Sequence, residues 1–234
     1  MDYKIRKYKE LASTNTEAAG IENFEHLETV TAECQTLGRG RMGRSFYSKG
    51  GGLYMSVLLK PDMIKCSASL VTFAAAVSLR DALFSFGYET GIKWVNDILY
   101  GGKKIAGILT EAKSSDGALK RIIVGIGVNL KEPEDGFPDD IKHKAGALDF
   151  NGDKDSLIIR IISNLSENLL KRDEEIISEY KKNMLMIGDT AEVSDYRSGC
   201  KKRVRILGLR GDGALICEEA DGKMIDLVSG EVLY

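Results

Sequence analysis

Apolar positions recur along this chain with two periods, and the alternation between them outlines the fold. Ser13-Thr14-Asn15-Thr16-Glu17 opens a short helix that Gly20 closes, with Thr14 and Glu17 at capping-box spacing. Residues 29–34 alternate as a strand does, and Gly50-Gly51-Gly52 turns the chain into an apolar strand over 53–59. From about Ser67 to Phe86, Leu70, Phe73, Ala74, Val77 and Leu83 return at helical spacing, with Gly87 as the stop. Residues 91–95, 104–110 and 121–128 read as three further strands, the first two separated by Tyr100-Gly101-Gly102. A long helical pattern covers 153–184, its stripe formed by Leu157, Ile158, Ile161, Ile162, Leu165 and Leu169. Helices alternate with clusters of strands rather than with single ones. This predicts an α+β fold with a central mixed β-sheet flanked by helices.

The pattern changes near Ile187-Gly188-Asp189. Beyond it, residues 191–193, 203–209, 214–218, 224–228 and 231–233 read as short strands between turns such as Arg210-Gly211-Asp212-Gly213 and Asp221-Gly222. The chain therefore divides into residues 1–186, expected to carry the chemistry, and 187–234, a small barrel-like domain expected to carry little of it.

Composition narrows the classes. With 234 residues, 43% of them hydrophobic, the chain can bury a substantial core. Lys and Arg number 33 against 35 Asp and Glu, a net charge of −2 that argues against a protein built mainly to coat nucleic acid. Cys34, Cys66, Cys200 and Cys217 are scattered, no CxxC occurs, and only His26 and His143 offer imidazoles. That pattern fits thiols in a reducing compartment and contains no Cys/His metal spacing. The N-terminus lacks the apolar run of a signal peptide, and residues 68–79, edged by Arg80, read as a packed helix rather than a membrane span. A cytoplasmic protein with no membrane partner is expected.

Four motifs carry candidate chemistry. Gly38-Arg39-Gly40-Arg41-Met42-Gly43-Arg44 alternates flexible backbone with three guanidinium forks, a combination suited to a polyanionic ligand. Lys93-Trp94-Val95-Asn96-Asp97 ends a strand in an amide and a carboxylate, at a sheet edge where ligands of α/β proteins sit; Asn-Asp is equally an ordinary turn. Lys103 and Lys104 follow a Gly-Gly turn and diverge if the strand has begun, so that one of them enters a site or both stay solvated. Gly125-Ile126-Gly127-Val128-Asn129 permits close approach of a flat group, with Asn129 able to pair with a purine edge. No GxxxxGK[ST] loop is present, so phosphate binding must rely on side-chain cations and glycine N–H groups.

In this order and spacing, GRGRMGR (38–44), KWVND (93–97), KIAGIL (104–109) and GIGVN (125–129) resemble the motifs of biotin–protein ligases, also called biotin–[acetyl-CoA-carboxylase] ligases. The resemblance runs from Ser13-Thr14-Asn15 into the C-terminal domain. It implies a class II synthetase-like biotin/lipoyl ligase fold with an SH3-like C-terminal barrel. The implied activity is ATP-dependent conversion of biotin to biotinyl-5′-AMP, then transfer to one lysine of a biotin carboxyl carrier protein.

By the family pattern, Ser13, Thr14, Asn15 and Gln35 lie at the bicyclic head of biotin, and Gly38, Arg39, Lys104, Gly107 and Gly127 complete that pocket. Arg39, Arg41, Arg44, Phe46, Lys93, Trp94, Asn96, Lys104 and Asn129 would hold ATP and the adenylate. Lys104, Arg41 and Asp97 are the implied catalytic groups, and Mg²⁺ is expected mainly on the ATP phosphates. The resemblance also implies a homodimer.

Two departures stand out: Val95 replaces the family's usual proline, and Phe46 a common tryptophan. Only 12 residues precede Ser13, too few for the helix-turn-helix domain of repressor-type members, so no DNA binding is expected. A lipoate or octanoate ligase would carry an Arg-Arg/Gly-Gly-Gly type loop followed by His-Asp, which does not occur here. A non-enzymatic phosphate- or RNA-binding module would leave Lys104 and Asn129 without a shared task.

Overall fold

The computed structural model describes residues 3–233. The first of its two sheets draws on β1 (Ile5–Leu11), β2 (Glu28–Gln35), β3 (Gly52–Leu59), β4 (Gly91–Lys93), β5 (Asp97–Tyr100), β6 (Lys103–Ser115) and β7 (Ala118–Asn129). These lie in the order β1-β2-β3-β7-β6-β5-β4. β1 runs parallel to β2, with Ile5 opposite Thr29, and every other pair is antiparallel. The sheet is mixed, as the clustered strand pattern predicts.

β1 escaped that pattern. Its sequence IRKYKEL is dominated by charge, which suits an edge strand that must not pair further. Lys4 and Arg6 instead clamp it to the neighbouring strand through Glu28, whose buried carboxylate lies 3.2 Å and 2.7 Å from their nitrogens.

The pleat assigns the two faces of the sheet. Leu53, Met55, Val57 and Leu59 of β3, with Ile122, Val124, Ile126 and Val128 of β7, enter the main core. That face is covered by α2 (Val71–Ser85), against which α3 (Lys154–Asn168) and α4 (Asp173–Lys182) pack. Residues 68–85 are long and apolar enough to cross a membrane by composition, but here they fill the core, with Ala74, Ala75 and Ala76 fully buried. On the opposite face α1 (Thr14–Gly20) covers a small cluster of Ala18, Val30, Leu58 and Ile123. The rest of that face is left open.

Two helix expectations are corrected. The single pattern over 153–184 breaks into α3 and α4 because Glu175 accepts from Arg172 N at 3.0 Å, a cap set in the middle of the apolar stripe. At α1 the N-cap is Ser13, with no side-chain capping bond, and Thr14 turns its hydroxyl toward Gln35 instead.

The second sheet is antiparallel, in the order β11-β10-β9-β8-β12, from β8 (Thr190–Asp195), β9 (Lys201–Leu209), β10 (Leu215–Glu219), β11 (Met224–Leu227) and β12 (Gly230–Leu233). Its buried Val193, Ile206, Leu215 and Val232 belong to the same core cluster as the large sheet. Trp94 Nε1 crosses the seam to donate to Gly213 O at 3.0 Å.

Candidate active site

The open face of the large sheet becomes a cleft because its strands carry glycine where side chains would stand. Gly107 of β6 and Gly125 and Gly127 of β7 all leave on that face, opposite the core residues between them. A Cβ on Gly125 would lie 2.3 Å from Asn15 Oδ1, and one on Gly127 would lie 2.5 Å from the Phe46 ring. The floor is thus open backbone, with the Phe46 ring above Gly107 and Gly127.

One end of the cleft is a polar recess. Ser13, Thr14 and Asn15, each 4% exposed, enter it from the start of α1, and Ser56 enters from β3 with no exposure at all. Ser56 Oγ lies 2.7 Å from Thr14 Oγ1 and 2.6 Å from Asn15 Oδ1. Gln35 Oε1 accepts from Thr14 N at 2.8 Å, while its Nε2 donates to Ser48 Oγ at 3.1 Å. A serine in an apolar strand is therefore the hub of the recess. Buried polar groups of this kind must be paired, and all of these are.

The other end is cationic. The segment expected to be a flexible loop folds back on itself: Phe46 N donates to Gly38 O at 2.9 Å and Gly40 N to Arg44 O at 2.7 Å. Its tip turns through Met42 (φ 55) and Gly43 (φ 72), the latter a conformation glycine adopts freely. The three arginines leave this hairpin in different directions. Arg39 Nη2 lies 2.8 Å from Glu111 Oε1, and Arg44 Nη1 lies 2.7 Å from Glu231 Oε2. Arg41 Nη1 donates to Asn96 Oδ1 at 3.2 Å and Gly230 O at 3.3 Å, with its guanidinium 5.6 Å from the centre of the Tyr196 ring.

Between the two ends stands Lys104, its Nζ 2.6 Å from Asp97 Oδ1. β5 and β6 bring these groups together, since Asp97 pairs with Gly107 one bulge away from the pairing of Leu99 with Lys104. Asn96 is fixed by its own strand neighbour, donating from Nδ2 to Ile108 O at 2.8 Å. The Trp94–Val95 peptide that leads into this turn is cis. Burial pushes the Lys93 ammonium down from its ordinary pKa, against the pull of Asp97 and Glu231. At Glu231 burial acts upward, but donation from Arg44 and Tyr196 outweighs it and holds the carboxyl below its ordinary range.

Ser13, Thr14, Asn15, Gln35, Arg39, Arg41, Arg44, Phe46, Lys93, Trp94, Asn96, Asp97, Lys104, Gly107 and Gly127 all line this one cleft. Two expected residues stand outside its lining. Gly38 is the first paired residue of the hairpin, and a Cβ there would collide with Ser48 Oγ and Phe46 O. Asn129 is 9% exposed, and its amide donates one N–H to Gly146 O at 2.9 Å.

Sequence reasoning also missed residues. Tyr196, Gly230 and Glu231 bring the C-terminal segment into the lining. Ser56 and Glu111 were missed as well. For Ser56 a signal existed: one polar residue in the apolar run LYMSVLL.

A family model described as the biotin/lipoate A/B protein ligase family matches residues 8–129. The bifunctional ligase/repressor BirA of Bacillus spizizenii is 42% identical over 121 residues, 51% of this chain and 37% of that protein. A biotin–[acetyl-CoA-carboxylase] ligase of Paracoccus denitrificans is 38% identical over 144 residues, 58% of this chain and 55% of the relative. The matches thus span about half or less of these curated relatives. Among solved structures, a biotin protein ligase from Aquifex aeolicus in complex with biotin and ATP is similar with a TM-score of 0.83 and 28% identity, covering 98% of this chain and 97% of that one.

Proposed function

The chain belongs to the biotin/lipoate A/B protein ligase family, and on that premise we propose that it is an ATP-dependent biotin–[acetyl-CoA-carboxylase] ligase. It converts biotin to biotinyl-5′-AMP and passes biotin to a lysine of a biotin carboxyl carrier protein. One observation carries this reading: a saturated polar recess opens, across a floor of glycines, onto Lys104 and three arginines. Such a cleft suits a neutral hydrogen-bonding head at one end and a carboxylate beside a phosphate at the other.

In the first half-reaction a biotin carboxylate oxygen attacks the α-phosphorus of ATP, forming an O–P bond as pyrophosphate leaves with the bridging oxygen's electron pair. The carboxylate is already ionised, so this step needs no general base. It needs two anions held together, and Lys104 and Arg41 reduce their repulsion and stabilise charge spreading over the phosphate oxygens. Asp97 orients the Lys104 ammonium at 2.6 Å. Arg39 and Arg44, carried on the hairpin, retain the adenylate, while Phe46, Lys93, Trp94 and Asn96 wall the nucleotide side.

In the second half-reaction the acceptor amine attacks the acyl carbon and AMP departs with the electron pair of the broken C–O bond. A free lysine has a pKa of about 10.4, so the acceptor must lose a proton on arrival.

Among the described residues no group of three His, Cys, Asp or Glu side chains could hold a metal. Asp97 is committed to Lys104, and Glu231 to Arg44. This donor set fits Mg²⁺ that enters as the ATP complex. The homodimer is supported by β6, whose ladder with β5 ends at Gly107 and whose last bonds on that side join Ile108 to Asn96, leaving the strand beyond them without a neighbouring strand on that edge. A cytoplasmic location completes the reading.

Acid-dependent ATP–pyrophosphate exchange, with biotin, lipoate, octanoate or no acid, tests it. Exchange with biotin alone is expected. Exchange with lipoate or octanoate alone would replace the substrate and keep the family.

A further inference from the structure

Glu111, at the rim of the cleft, joins two parts that the ligase reading treats separately. Gly107, Leu109 and Glu111 leave the same face of β6, which brings the Glu111 carboxylate beside the start of α1. Its Oε2 accepts from Asn15 Nδ2 at 2.7 Å, and its Oε1 lies 2.8 Å from Arg39 Nη2. One carboxylate thus holds a recess residue with one oxygen and a loop residue with the other.

Proton accounting shows what this does. An amide oxygen only accepts, so Ser56 gives its single proton to Asn15 Oδ1, and the Thr14 hydroxyl, 2.7 Å from Ser56 Oγ against 3.2 Å from Gln35 Oε1, gives its own to the nearer Ser56. Gln35 Oε1 keeps Thr14 N as its donor. The Glu111 carboxylate, an acceptor, closes the chain by holding the Asn15 NH₂ toward the rim. A flipped Asn15 amide would set two oxygens against each other at 2.7 Å. At the far end, Gln35 Nε2 donates to Ser48 Oγ, and Ser48 Oγ donates to Phe46 O at 2.7 Å. The chain of hydrogen bonds therefore starts and finishes on the same hairpin, at Arg39 on one arm and Phe46 on the other.

We propose that Glu111 is a positioning residue that couples filling of the recess to closure of the arginine hairpin, through Asn15 on one side and Arg39 on the other. The inference rests on the ligase reading, in which the recess takes the head of the acid and the hairpin retains the adenylate. Glu111 stands outside the lining of the cleft and acts through Asn15 and Arg39. Its effect falls on how long the adenylate stays.

Glu111→Gln keeps an acceptor for Asn15 and removes the charge facing Arg39; Arg39→Gln removes the same pair from the hairpin side. The release rate of biotinyl-5′-AMP and the KM for biotin are measured in wild type, both single variants and the double variant. Glu111→Gln is expected to release the adenylate about 10-fold faster, the effect of one charge-assisted contact, with a KM for biotin changed less than about twofold. The double variant is expected to be no faster than the faster single variant, the non-additivity of a coupled pair. Glu111→Ala is expected to raise the KM as well, because Asn15 loses its acceptor. Unchanged release in Glu111→Gln, or single effects that multiply in the double variant, would overturn the proposal. Should Glu111→Gln fail to fold, Glu111→Asp, which draws the carboxylate back from Arg39, decides it: unchanged release would overturn the proposal. Folded wild type that forms no biotinyl adenylate would overturn the ligase reading, and this inference with it.

Discussion

At the recess end of the cleft, Ser13, Thr14 and Asn15 are 4% exposed, and they are locked to Ser56 and Gln35 by hydrogen bonds inside the sheet and α1. At the hairpin end, the Arg39 and Arg44 side chains are 50% and 57% exposed and are held by ion pairs to Glu111 and Glu231, Arg44 also lying 6.0 Å from the centre of the Tyr196 ring. The two ends obey different energetics. Removing a partner from a buried hydrogen bond costs roughly 1–3 kcal/mol, because the remaining group stays unsatisfied. An exposed ion pair contributes about 0–1 kcal/mol and weakens with salt. Contacts that select a substrate gain from the first kind. Contacts that must open once per turnover gain from the second.

The largest effect tests neither end but the group between them. Lys104→Ala is expected to slow single-turnover adenylation by about 10²-fold or more while biotin binding changes far less. Equal rates in mutant and wild type would remove Lys104 from the chemistry.

Ser56→Ala probes the rigid end. Asn15 Oδ1 loses its donor and the Thr14 hydroxyl its acceptor there, so biotin affinity should fall by about 5- to 100-fold, read by calorimetry. An effect no larger than that of a surface arginine would erase the contrast between the two ends. Arg41→Ala probes the loose end: biotin should bind almost as before, and biotinyl-5′-AMP should leave about 10-fold faster.

The smallest effect is a dependence on pH. The Glu231 carboxyl titrates below its ordinary range, so its hold on Arg44 is present above that range and is lost as pH falls through the lowered value. Adenylate retention should weaken by about twofold across that acid window, and Glu231→Gln should abolish the dependence. A profile identical in wild type and Glu231→Gln would show that the small domain does not restrain the hairpin.

Much of the large sheet was legible because its strands and α2 carry long apolar periods. β1 was not, since an edge strand chosen to resist pairing is written in charges. The break between α3 and α4 was hidden because Ile176, Ile177 and Tyr180 continue the buried stripe across it. At the site, the arginine, lysine and glycine motifs stood out as compact runs. Tyr196 and Glu231 did not: the small domain reaches the hairpin through contacts such as Arg41 with Gly230, 189 positions apart, and no local period records such a meeting. Asn129 stands apart: its motif suggested a nucleotide contact, and the fold places it outside the cleft's lining with one amide N–H on Gly146 O.

The single tryptophan has a consequence of another kind. Trp94 stands two residues before Asn96, lines the cleft, and gives its indole N–H to Gly213 O in the turn between β9 and β10 of the second sheet. Any shift of one sheet against the other changes the polarity around the only indole in the chain. The protein therefore carries an intrinsic fluorophore at the seam of its two sheets, whose emission colour reads the packing there without any attached dye.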